Sequence, residues 1–177
     1  MALLPLTLLF ALLAAAVWHD VRARRIPNAL VFPGALAALV LHAVSGTGVG
    51  QALGGLALGL AFLLPMYALR LMGAGDVKLL AMVGAFVGAA HIFTIGLVTL
   101  AAGGVLALAY AAWQGKLRQL TRNAYQMMIM TSMSAAGGKL AVAQPAAASG
   151  RLPYAVAIAA ATAPCALWLH LFGTLPL

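Results

Sequence analysis

Asp20 and Asp76 are the only acidic residues in a chain of 177 residues that contains no glutamate. Each stands where a long apolar segment meets a basic stretch, and Asp76 closes the tetrad Gly73-Ala74-Gly75-Asp76. An ionisable group beside hydrocarbon is costly, and one that persists there is a functional candidate. Two carboxyls that share a site resist double ionisation, so one of them holds a proton near neutral pH. That mixed state suits hydrolysis of a peptide bond. The ionised partner draws a proton from water, while the protonated partner polarises the carbonyl and then protonates the leaving amine. No covalent intermediate is required.

Each carboxylate also has a purely structural use. Asp20 can pair with Arg24 one helical turn later, and Asp76 can cap the start of a helix. Gly73 and Gly75 lack side chains, so a substrate backbone can approach closely and dihedrals that other residues resist are open there.

Bringing Asp20 and Asp76 together needs a scaffold, and composition names its kind. Hydrophobic residues make up 65% of the chain and charged residues 7%, whereas about a quarter of a soluble domain is charged. The expected fold is all-α, a polytopic integral membrane bundle forming a single domain over 1–177. A transmembrane barrel does not fit, because the apolar residues run continuously and do not alternate. Runs suited to spanning helices cover 3–19, 28–44, 50–69, 77–90, 92–113 and 153–171. The fourth is short; it tilts little or shares a tight outer turn at Ala89-Ala90-His91 with the fifth. Glycines 54, 55, 59, 84, 88, 96, 103 and 104 read as small faces for close helix packing.

Charge sets the orientation. With six spans, all ten Lys and Arg fall on one side. Arg22, Arg24 and Arg25 follow the first span, Arg70 and Lys78 bracket the loop after the third, and the rest lie after the fifth. The positive-inside rule makes that side cytoplasmic and places both termini outside. Asp20 and Asp76 then share one depth, at the cytoplasmic boundary. The net charge of +8 does not indicate nucleic acid, since the cations cluster between apolar segments as topology requires. The first run reads as a retained span and not a signal peptide, because basic residues follow it instead of preceding it.

The segment 114–152 is the one sizeable polar region. Leu117, Leu120, Ala124, Met127, Met128 and Thr131 fall at helical spacing beside Arg118 and Arg122. That pattern predicts an amphipathic helix on the inner leaflet, drawn to anionic lipid. Gly137-Gly138 and the Ala/Ser/Pro-rich stretch 143–150 read as a linker.

The stretch Asp20-Val21-Arg22-Ala23-Arg24-Arg25-Ile26-Pro27-Asn28 resembles the first motif of the type IV prepilin peptidases, and Gly73-Ala74-Gly75-Asp76-Val77-Lys78-Leu79 their second, the GxGD motif followed by Lys. The resemblance covers roughly residues 5–115. It implies an intramembrane aspartyl protease of the bacterial inner membrane that removes the short basic leader of a prepilin or pseudopilin on the cytoplasmic side. It implies Asp20 and Asp76 as the catalytic pair, with Gly73 and Gly75 shaping the second motif. It also implies a basic position at Lys78 that orients the loop or meets headgroups, and an Asn28 that caps or satisfies freed backbone groups at the start of the second span. Arg24 and Asn28 belong with Lys78 as residues that orient the loop or the substrate. Larger members carry an N-terminal region with paired cysteines and also methylate the new pilin N-terminus. This chain begins at its first span and has one cysteine, so it is similar to the compact form of tight-adherence (Flp-type) pilus systems. Peptidase activity without methyltransferase activity is the expectation.

The remaining polar residues fit no rival chemistry. Cys165 lies in an apolar run and reads as packing. His19, His42, His91 and His170 lack metal-ligand spacing, so no metal or other cofactor is expected. Ser45, Thr47, Ser132 and Ser134 show no partnered base in the sequence. The rival classes are a small proton-coupled transporter and a non-catalytic pilus-assembly subunit. A transporter would place its carboxylates near the midplane on a path to both faces, which the boundary position of these two does not match. The oligomeric state is left open.

Overall fold

In lipid a backbone must satisfy its own hydrogen bonds, so long apolar runs become helices. The computed structural model describes residues 2–69, 72–115, 117, 118, 122, 125, 126, 129 and 153–175, and among these there is helix and no strand. The helices are α1 (Leu3–Ala23), α2 (Asn28–Val44), α3 (Val49–Ala68), α4 (Ala74–Val87), α5 (Ala89–Trp113) and α6 (Tyr154–Phe172). They fall on the six expected runs. α1, α3, α5 and α6 are long and apolar enough to cross a membrane, and α2 is a shorter apolar helix.

The chain divides into two compact units, 1–103 with 153–177, and 104–152. The second contains the end of α5 and the helical residues Leu117, Arg118, Arg122, Tyr125, Gln126 and Ile129, all exposed. Leu120, Ala124, Met127, Met128 and Thr131 of the expected amphipathic stripe lie outside the described residues, as does the expected linker.

In the first unit α4 is the central element. It has 14 residues, and Val77 and every residue from Leu79 to Val87 are buried. α3, α2, α6 and α1 all pack against it. The fourth run is therefore short because protein covers it, and it starts at Ala74, three residues ahead of the expected 77. It also stops earlier than expected, at Val87. Gly88 takes a φ of +83°, a conformation that side chains resist, and α5 begins at the next residue.

The α3–α4 contact runs backbone to backbone. A Cβ at Gly55 would fall on the Gly84 carbonyl oxygen, one at Gly84 on the Gly55 carbonyl oxygen, and one at Gly59 within 2.6 Å of the Leu80 oxygen. Since lipid offers no hydrophobic drive between helices, such close approach is what holds them. Of the other expected small positions, Gly96 receives the Phe62 ring and Gly103 the Tyr154 ring, while Gly104 faces open space.

Antiparallel succession brings four helix ends together. The C-terminus of α1 meets the N-termini of α2, α4 and α6, as contacts from Asp20 to Ala155, Ile26 to Gly75 and Asn28 to Lys78 record. Both acids and both sequence motifs lie at this end.

Candidate active site

α1 carries Asp20 on its last turn and closes with Arg24 in the left-handed conformation, φ 52°, whose N–H donates to the Asp20 carbonyl at 2.9 Å. Pro27 then forms the N-cap of α2. This turn leaves the Asp20 side chain facing inward, 7% exposed. Its Oδ2 accepts the backbone N–H of Ala155, in the first turn of α6, at 3.0 Å. Arg24 acts on the carboxylate through its charge, while the hydrogen bond goes to α6.

Asp76 is the third residue of α4 and not its cap, as the helix starts at Ala74 with Gly73 as N-cap. Its Oδ2 accepts the Gly73 N–H at 3.1 Å, and its own N–H donates to the Gly73 carbonyl at 3.2 Å. This is the return arm of a capping box, in which an acid at the third position satisfies the N-cap donor. Asp76 lies within electrostatic reach of both Asp20 and Tyr154. The two acids of the sequence are thus brought to one site, each held by a backbone N–H through one oxygen.

The glycines of the tetrad act through space. Gly73 has an ordinary φ of −81°, so its conformation does not require glycine. A Cβ there would stand 3.3 Å from Asp76 Oδ2, and one at Gly75 would stand 3.2 Å from Ile26 Cβ. Gly75 therefore closes against the first motif.

A second contact joins the motifs. Lys78 Nζ donates to Asn28 Oδ1 at 3.1 Å and lies 5.5 Å from the centre of the Phe32 ring. Of the uses expected of Asn28, a side-chain cap of α2 is not made; its oxygen serves Lys78. Arg22 is likewise engaged, stacked 4.2 Å over the exposed Trp18 ring. Ile26 on Gly75 and Asn28 on Lys78 fix the start of α2 to the start of α4, and so fix where Asp76 stands relative to α1. Asn28→Ala and Lys78→Met are each expected to slow turnover about three- to tenfold, as loss of an exposed charge-assisted hydrogen bond implies. The double variant should be no slower than the worse single one. Additive losses in a double-mutant cycle would show that the two side chains act separately.

Sequence reasoning passed over two participants. Ile26 was only a motif letter, and the Ala155 donor is a backbone group with no side-chain signature. Thr47 does have a partnered base, contrary to expectation. Its hydroxyl donates to His42 Nδ1 at 2.9 Å, while His42 Nε2–H donates to the Phe86 carbonyl at 3.3 Å. That chain lies at the end of the bundle away from the aspartates and caps the last turn of α4, a structural task. Among the described residues no cluster of His, Cys, Asp or Glu is suited to a metal ion.

A helical membrane bundle with a carboxylate pair at one end is the class that fold and site define. A family model, the type IV leader peptidase family, matches residues 7–111. That is more than half of the chain, which belongs to this family and is a peptidase of the membrane. Neither the comparison with curated proteins nor that with solved structures gives a match.

Proposed function

We propose that this protein is an intramembrane aspartyl endopeptidase of the bacterial inner membrane. It removes the short basic leader of type IV prepilins of the Flp type at the cytoplasmic face, with Asp20 and Asp76 as its catalytic pair. The observation that carries the reading is the placement of the chain's two acids at one end of the bundle, each fixed by a backbone N–H. One carboxylate accepts a proton from water as its oxygen attacks the scissile carbonyl. The other, protonated, donates to the carbonyl oxygen. Collapse of the tetrahedral adduct breaks the C–N bond, and a proton passed from the pair leaves with the new amine. The cations at this end hold the protein to an anionic leaflet, with Trp18 and Arg22 as an interfacial anchor.

The test is co-expression with a Flp-type prepilin, read by gel shift and N-terminal sequencing of the product. Cleavage just after a glycine, ahead of the pilin's hydrophobic helix, is expected. No cleavage by well-expressed wild type would return the protein to a non-catalytic assembly role. Purified protein given cleaved pilin and S-adenosylmethionine is expected to transfer no methyl group, and methyl transfer would overturn that part of the reading.

A further inference from the structure

We infer that the first turn of α6 is a working part of this active site, the Ala155 N–H being the group that positions the Asp20 carboxylate for catalysis; the inference rests on the peptidase reading above. The first N–H groups of any helix lack partners within it, and a Ser, Thr, Asp or Asn N-cap ordinarily supplies one. Pro153, the N-cap of α6, has no side-chain acceptor. The Val156 N–H turns to the Pro153 carbonyl at 3.1 Å. The Ala155 N–H, in a residue with no exposed surface, has Asp20 Oδ2 at 3.0 Å. Asp20 is therefore the cap of a helix 135 positions away in the sequence.

The bond serves both partners. A buried donor left without an acceptor is destabilising by about 1–3 kcal/mol. Asp20 lies in the C-terminal turn of α1, the pole that disfavours an anion, and the N-terminus of α6 opposes it with the favourable pole. With Oδ2 turned to α6, Oδ1 is the oxygen left to meet water. Asp76 is held in the same manner, by one backbone N–H on one oxygen. α6 packs on both α1 and α4, the two carriers, and places Tyr154 within reach of the Asp76 charge. The family match ends at residue 111, so this positioning comes from beyond the matched region.

Two variants test the assignment, because they should move stability and activity differently. Ala155→Pro deletes the donor at the second residue of α6, where proline removes no hydrogen bond within the helix. Pro153→Ser adds a local cap that competes with Asp20 for the same N–H. With a prepilin substrate, kcat should fall roughly ten- to a hundredfold in Ala155→Pro, with KM unchanged, as loss of a hydrogen bond to a charged group implies. Pro153→Ser should lower kcat by less while leaving the thermal midpoint equal or higher. A purely structural contact predicts the reverse, because a better cap should preserve activity.

A second readout does not need turnover. The chain has only two acidic side chains, so the full protein labelled with [4-13C]aspartate, in micelles, gives two side-chain carboxyl resonances, assigned through Asp20→Asn. Ala155→Pro should move the Asp20 resonance and leave that of Asp76 in place. An Asp20 resonance that does not move, or one that moves while kcat stays at the wild-type value, would overturn the proposal. Wild type that fails to cleave any prepilin would remove the peptidase reading and the catalytic role with it, while the resonance would still report whether the contact exists.

Discussion

Asp20→Asn and Asp76→Asn should each abolish prepilin cleavage, a fall of roughly a hundred- to ten-thousandfold, which is the usual contribution of a general acid or base. The amide is close in shape to the carboxylate, so the surrounding contacts survive the exchange. Asn at position 20 still offers an oxygen to the Ala155 N–H, and Asn at position 76 one to the Gly73 N–H. What is lost is the capacity to take up and return a proton. Amounts of membrane-inserted protein should therefore match wild type, and the double variant should be no less active than either single one, because the pair acts as a unit. Co-expression with substrate, with product measured by gel shift, decides the matter. Cleavage that survives either substitution at near wild-type rate would break the pair.

Scarcity made the aspartates legible. In a chain with two acids, the succession of apolar runs predicts helices that alternate in direction, and that alternation brings both acids to one end. The glycines at 55, 59 and 84 were legible as small faces, though only packing shows that Gly55 and Gly84 meet each other. The reason α4 is short was harder to read. Hydropathy reports that a run is apolar and says nothing about whether lipid or protein covers it. α4 is covered by protein along almost its whole length, so 14 residues suffice. The partner of Asn28 was hidden for a related reason. An amide beside a helix start fits a cap, and nothing local reveals that an ammonium 50 residues away occupies its oxygen. The Ala155 donor left the faintest trace of all, a helix opening on proline without a capping side chain.

Gly84→Leu should prevent the protein from accumulating in the membrane, and Gly84→Ala should lower its unfolding midpoint in detergent. The reason lies in what the new atom would meet. Extra volume in a packed interior usually is destabilising by about 1–3 kcal/mol, because side chains and backbone shift to admit it. At Gly84 the obstacle is the Gly55 backbone, which has no rotamer to change. α3 and α4 must move apart along their closest line, so the loss should lie at the upper end of that range or beyond it. Gly50→Ala and Gly104→Ala supply the contrast. Both sites are helical and face open space, so the added methyl should be neutral or should stabilise by about 0.5–1 kcal/mol through helix propensity. Gly55→Ala combined with Gly84→Ala should be less than additive, since a single separation of the helices relieves both. Activity should fall further than stability in Gly84→Ala. α4 carries Asp76 on its first turn, and displacing the helix from α3 shifts that carboxylate against Asp20. Protein that is fully folded by thermal scan yet turns over more slowly would be the signature. Equal midpoints for Gly84→Ala and Gly50→Ala would show that the two helices do not approach as closely as their backbones imply.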